Sequence, residues 1–185
     1  MRSRLLDATL SCLVELGWAG TTTTVVSQRA GVSRGAQLHH FPSKQDLVVA
    51  AVEHVMQRRR EQMDQAVSNL PADGRTRAVL EILADYFTSD LFFAALEIWT
   101  AARTDEQLLS LVAPLERSIG RDTHRHTVAL LDIDESLGDN RRLIQATLDL
   151  IRGLGLAATL SDDSTRREHI LDAWADTLEA QLVKS

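Results

Sequence analysis

The sequence predicts an all-α chain of nine helices, and three observations carry that prediction. Glycine and proline are scarce, at 9 and 3 of 185 residues, too few turn formers for a strand-turn-strand architecture. Aromatics make up only 4% of the chain while leucine, alanine and valine dominate, a mixture that suits helix packing. Apolar residues recur three and four positions apart along most of the chain, the period of a buried helical face. Two domains are expected: a three-helix N-terminal domain over residues 1–46 and a helical body over residues 47–185.

The first helix is expected over residues 2–16, with Leu6, Leu10, Leu13 and Leu16 on one stripe and Gly17 as its stop. Residues 21–26 have strand propensity, but Thr22 is a good N-cap, and Val26 and Ala30 are four apart, as a helix requires. Gly31 can take the left-handed conformation that ends that helix, and Val32 points back to lock it to the next. Ser33 then caps a short third helix whose first exposed side chain is Arg34. That helix stops at Phe41, which Pro42 steers out of the α region. Ser43 opens the fourth helix with Asp46 three residues on, a capping box with Asp in place of Glu. Val48, Val52 and Val55 mark its buried face as it runs through Arg58, Arg59 and Arg60 towards Leu70.

Pro71-Ala72-Asp73-Gly74 is the clearest turn. A helix over 75–87 follows, then a strongly apolar one over 91–102. Thr104 and Gln107 suggest a capping box for the next, in which Leu108, Leu111, Leu115 and Ile119 align and Pro114 demands a kink or a break. A polar loop over 134–140 with Gly138 leads to two long helices, over 139–160 and 165–183.

Two short helices joined at Ala30-Gly31-Val32-Ser33 and followed at once by a third form a helix-turn-helix, which lays one helix in the DNA major groove. Gly17, Thr21-Thr22, Val26, Ala30-Gly31-Val32-Ser33, Gly35, His39-His40-Phe41, Lys44 and Leu47 stand at a joint spacing over residues 5–52 that resembles the N-terminal DNA-binding domain of the TetR family, named for the tetracycline repressor. The resemblance implies that Arg34 and Gly35 face base edges. Arginine is the best reader of guanine O6 and N7, and glycine allows close approach. Ser33 opens this recognition helix, His39 is expected to face phosphate or base, and His40 to pack inward near Phe41. Lys44, at a helix start, suits a phosphate, and Thr22, Thr24 and Gln28 can add contacts from the second helix. The chain departs from the family at Gln37-Leu38, where Leu-Tyr is usual. Leu38 cannot supply the tyrosine's phosphate contact, and Gln37 could instead reach an adenine edge.

Net charge is −6, yet residues 1–60 hold eight basic against four acidic residues, a net of +4. The remainder carries −10. A positive end on a negative body orients a molecule on a polyanion. A single cysteine, Cys12, excludes an internal disulfide and sits among leucines as a small hydrophobe. Neither a signal-peptide pattern nor a membrane-length apolar run is seen, so a cytoplasmic protein is expected. No glycine-rich phosphate loop, Cys/His metal spacing or serine elbow is present, so neither catalysis, metal nor cofactor is expected. Adjacent His39 and His40 diverge on a helix and do not pair on a metal.

In the body, Phe92, Leu96, Trp99 and Arg103 fall on one face of the 91–102 helix, and Glu97 places a carboxylate in apolar company on another. Core packing is one reading. The other, favoured by the family's architecture, is the wall of an effector site with Arg103 or Glu97 as its polar anchor. Leu150, Gly153, Leu154 and Ala157 on one of the last helices and Leu171, Trp174 and Leu178 on the other read as a dimer interface, or as packing within one chain. Small residues allow close helix approach, although each glycine costs a helix roughly 1 kcal/mol. Together with the resemblance, these features point to a homodimeric regulator, a repressor on a palindromic double-stranded DNA operator; its release by a small, largely apolar effector is what the resemblance implies. The alternatives are a transcriptional activator and a helical interaction module whose helix-turn-helix no longer binds DNA.

Overall fold

A computed structural model describes residues 1–67, 70–71 and 73–183. The Arg59 side chain, residues 68 and 69 of the expected fourth helix and Ala72 of the expected turn lie outside the described residues. Among the described residues there are nine helices and no strand: α1 (Arg2–Gly20), α2 (Thr23–Ala30), α3 (Arg34–His40), α4 (Lys44–Val67), α5 (Arg75–Phe87), α6 (Asp90–Ala102), α7 (Glu106–Leu131), α8 (Asn140–Ala157) and α9 (Ser164–Gln181). They form two compact units, Met1–Arg59 with Phe93–Ile119, and Arg60–Phe92 with Gly120–Ser185.

The first unit has two apolar clusters. In one, Leu5, Leu6 and Cys12 of α1 meet Val26 and Ala30 of α2, Phe41, and Leu47 of α4, with Val32 packed against them as its sequence position requires. In the other, Leu13 and Val48 meet Ala94, Ile98 and Ala102 of α6 and Leu108 and Val112 of α7. Cys12 is fully buried, and burial pushes its thiol pKa up, as expected of an inert packing residue. α1 extends past the expected stop at Leu16, but Gly17 interrupts it with φ 64° and ψ −173°, a conformation that is essentially glycine-only. The Thr21 hydroxyl donates to the Gly17 carbonyl at 2.7 Å and closes the segment.

In the second unit α5 lies against α8 and α9. α5 and α8 approach closely at Gly155, which is buried on α8. A Cβ there would stand 2.1 Å from the Phe87 carbonyl oxygen, so only glycine fits. Asn140, at the start of α8, is fully buried. Its Nδ2 donates to the carbonyls of Asp134 (2.8 Å) and Val183 (2.9 Å), and its Oδ1 accepts from the Val183 amide (3.0 Å), tying the end of the described chain to the loop before α8.

In α7 one local expectation is corrected, and of the kink or break expected at Pro114 the break is excluded. Asp105 caps the helix by accepting from the Leu108 amide at 2.9 Å, so the box of Thr104 and Gln107 does not form. The helix also runs on through Pro114 rather than breaking there.

Candidate nucleic-acid interface

The interface is built from the chain's shortest-range chemistry. Thr22, in the extended region, accepts from the Val25 amide at 3.2 Å and starts α2. Gly31 ends it in the left-handed conformation at φ 63°, where a Cβ would strain the backbone. Ser33 then accepts from the Ala36 amide at 3.2 Å and starts α3. After Phe41 and Pro42, Ser43 and Asp46 form the expected reciprocal cap: the Ser43 amide donates to Asp46 Oδ2 (3.2 Å) and the Asp46 amide to Ser43 Oγ (3.0 Å). The chain is therefore redirected twice in about a dozen residues, each time by a side chain three residues from the amide it satisfies.

The outcome is a short helix with one buried side chain. Arg34, Gly35, Leu38 and His39 are exposed on α3, and Thr22, Thr24, Gln28 and Ser33 are exposed on or beside α2 and its turn. Space around Gly35 is open, with nothing within 4 Å of an added Cβ. The nearby cation Arg29 is committed to Glu15 at 2.6 Å, a pairing that also holds the Glu15 carboxyl below the usual range.

Three sequence expectations change here. Gln37 is fully buried and its Nε2 donates to the Phe41 carbonyl at 2.7 Å, so it does not present its amide to a base edge. The reason is periodicity: Gln37 lies four residues before the buried Phe41 and shares its inner face. His40 is exposed, not packed inward, with its ring 6.4 Å from that of Phe41. Lys44 is half-buried. Its Nζ donates to the Trp18 carbonyl and stands 3.8 Å from the Trp18 ring centroid, while burial lowers its pKa. A phosphate contact from Lys44 would compete with this arrangement.

The geometry is matched by the comparison with known families. The model for bacterial regulatory proteins of the tetR family matches residues 5–51, the segment that contains α1, α2, α3 and the start of α4. Residues 5–51 belong to the tetR family of bacterial regulatory proteins. It is 36% identical over 107 residues to an HTH-type transcriptional regulator of Mycobacterium tuberculosis, a match covering 57% of this chain and 55% of that protein. The matched segment thus spans about half the length of that relative. The HTH-type transcriptional regulator CymR of Pseudomonas putida is 28% identical over 188 residues, covering 99% of this chain and 91% of CymR. In fold, the chain is similar to a transcriptional regulator of Saccharomonospora viridis in complex with choline, at a TM-score of 0.71, 18% identity, and coverage of 100% and 98%. The family is one of regulatory proteins, not enzymes. No helix among the described residues is long and apolar enough to cross a membrane.

Away from the interface, the expected effector residues fall in different units. Phe92 belongs to the second unit, its ring edge-to-face with Phe87 at 5.2 Å. Leu96, Glu97, Trp99 and Arg103 belong to the first. There Trp99 packs on the α6–α7 cluster, Arg103 is exposed just beyond α6, and Glu97 Oε2 accepts from the Trp18 amide at 3.2 Å. Sequence reasoning missed Trp18, whose partners lie 26 and 79 residues away.

Of the expected dimer residues, Leu154, Leu171 and Leu178 are buried within their own unit. That corrects their assignment, since a side chain already buried in the single chain has little area left for a second one. Trp174 is half-buried and donates from Nε1 to Thr147 Oγ1 at 3.0 Å. Leu150 is half-buried, while Gly153 and Ala157 are exposed beside Leu156, which is 58% accessible.

Proposed function

We propose that the chain is a ligand-responsive transcriptional regulator, a repressor that binds a palindromic double-stranded DNA operator as a homodimer in the cytoplasm and is released by a small, largely apolar effector. One observation carries the DNA-binding part: α3 is capped, short and exposed along Arg34, Gly35, Leu38 and His39, within the segment that matches the family model. A helix presented this way suits the major groove, where Arg34 can donate two hydrogen bonds to one guanine. Residues 1–46 act as the DNA-binding part and residues 47–185 as the effector and dimer part.

The homodimer is supported by the exposed small and apolar surface of α8 around Gly153, Leu156 and Ala157. A twofold pair of recognition helices would address half-sites about 34–36 Å apart. A small-molecule effector, though not its apolar character, is supported by the choline held in the S. viridis protein of the same fold. A ligand shifts binding only by preferring one conformation, by roughly 1–3 kcal/mol for useful coupling.

The test is selection of bound duplexes from random-sequence DNA at a stated salt concentration, since phosphate contacts make affinity salt-dependent. A palindrome with one-turn half-site spacing is expected. Binding with no sequence preference at moderate ionic strength refutes the reading.

A further inference from the structure

Leu38 is 41% exposed in the middle of the outward surface of α3, where a leucine loses favourable burial unless something covers it. At about 100° per residue, Leu38 falls roughly 40° round the helix from Arg34 and roughly 60° from Gly35, between the two. Gly35 leaves an open notch beside it. The helix therefore presents a guanidinium, an apolar tip and a gap in sequence round its surface. The buried Gln37, on the inner face, contributes no polar group there.

We propose that Leu38 is a specificity-determining residue that reads the 5-methyl group of a thymine in the major groove, the methyl seating against Leu38 over the Gly35 notch. Thymine is the one base that presents a methyl group to that groove, and an aliphatic side chain can distinguish it without a hydrogen bond. Leu38 thereby gives base selectivity at a position next to the guanine taken by Arg34. The inference rests on the DNA-binding reading above.

The experiment uses the full chain and the duplexes recovered by random-sequence selection. Each thymine is replaced in turn by deoxyuridine, which removes only the 5-methyl group. Each half-site is expected to contain one thymine whose replacement weakens binding about fourfold, the value of one methyl-sized group leaving water. Leu38→Ala, a surface substitution that leaves the core intact, is expected to bind the thymine and deoxyuridine duplexes equally. Leu38→Met, which keeps an apolar tip, is expected to retain the discrimination. Selected half-sites without thymine, indifference of the unaltered protein to every replacement, or an equal loss in Leu38→Ala each overturn the proposal. Recovery of no preferred sequence removes the DNA-binding reading and the proposal with it, whereas a recovered palindrome indifferent to deoxyuridine removes the proposal alone.

Discussion

Glu97 on α6 accepts a hydrogen bond from the backbone amide of Trp18 at 3.2 Å, across 79 residues of sequence. Lys44, at the start of α4, donates to the carbonyl of the same residue and lies over its ring. Residue 18 is thus held on its N–H by one helix and on its C=O by another, just after Gly17 breaks α1. A Cβ on Gly17 would stand 2.9 Å from Glu97 Oε2 and would also need the positive φ of 64°. Gly17→Ala is expected to cost about 1–3 kcal/mol, from backbone strain alone. Thermal denaturation checks it, and an unchanged Tm would show that the break at Gly17 is not required.

Gly155 and Gly153 are two residues apart on α8 and should respond in opposite directions. Gly155→Ala drives a methyl group into the Phe87 carbonyl, so α5 and α8 must separate, and a loss of about 1–3 kcal/mol or more is expected. At Gly153 an added Cβ meets nothing within 4 Å. Gly153→Ala should therefore stabilise the single chain by up to about 1 kcal/mol through helix propensity, read in an Ala157→Glu background so that the proposed dimer contact does not enter. Chemical denaturation of both variants at matched protein concentration reads the contrast.

Arg34 and Gln37 should separate in the same way for DNA. Arg34→Ala is expected to lose about 1–3 kcal/mol of operator affinity and to relax preference at one position of each half-site. Gln37→Leu, at a fully buried position, should leave the preferred sequence unchanged. A repeat of the random-sequence selection with each variant decides it, and a shifted preference in Gln37→Leu would overturn the inward placement.

Asp122 links folding to pH. Burial raises its pKa, but hydrogen bonds and charge from Arg60 and Arg125 outweigh this and hold the carboxyl below the usual range. The folded value lies below the unfolded one, about 3.9, so between the two the unfolded chain binds more protons. The stabilisation is complete above about pH 4 and is lost as pH falls through the folded value. Asp122→Asn should lower Tm by about 2–4 °C at pH 7, with the difference from the unaltered protein narrowing below pH 4. A pH series of melting curves measures it.

Ala157→Glu tests the proposed dimer surface. Ala157 is exposed on α8, so a carboxylate there leaves the single chain intact. In a twofold contact it would bring two like charges together. Sedimentation is expected to show a monomer, and an unchanged dimer would move the interface elsewhere.

The helix-turn-helix could be read from sequence because its determinants are local. Thr22 reaches the amide of residue 25, Ser33 that of residue 36, and Ser43 and Asp46 each other, so composition over a few positions specifies where α2, α3 and α4 begin. Gly31 needs only its own φ of 63°. The orientation of Gln37 was equally legible, since it shares a helical face with Phe41, but its polarity pointed the other way.

What only the tertiary structure decided are contacts whose partners are far apart in the chain. Glu97 and Lys44 converge on Trp18, Gly155 fits under the Phe87 carbonyl, and Asn140 holds the backbone of Val183. Which of the leucines on α8 and α9 face their own unit depended likewise on where α5 packs. Helical periodicity marks an apolar face but not its partner, because the same stripe buries equally well against its own chain or another.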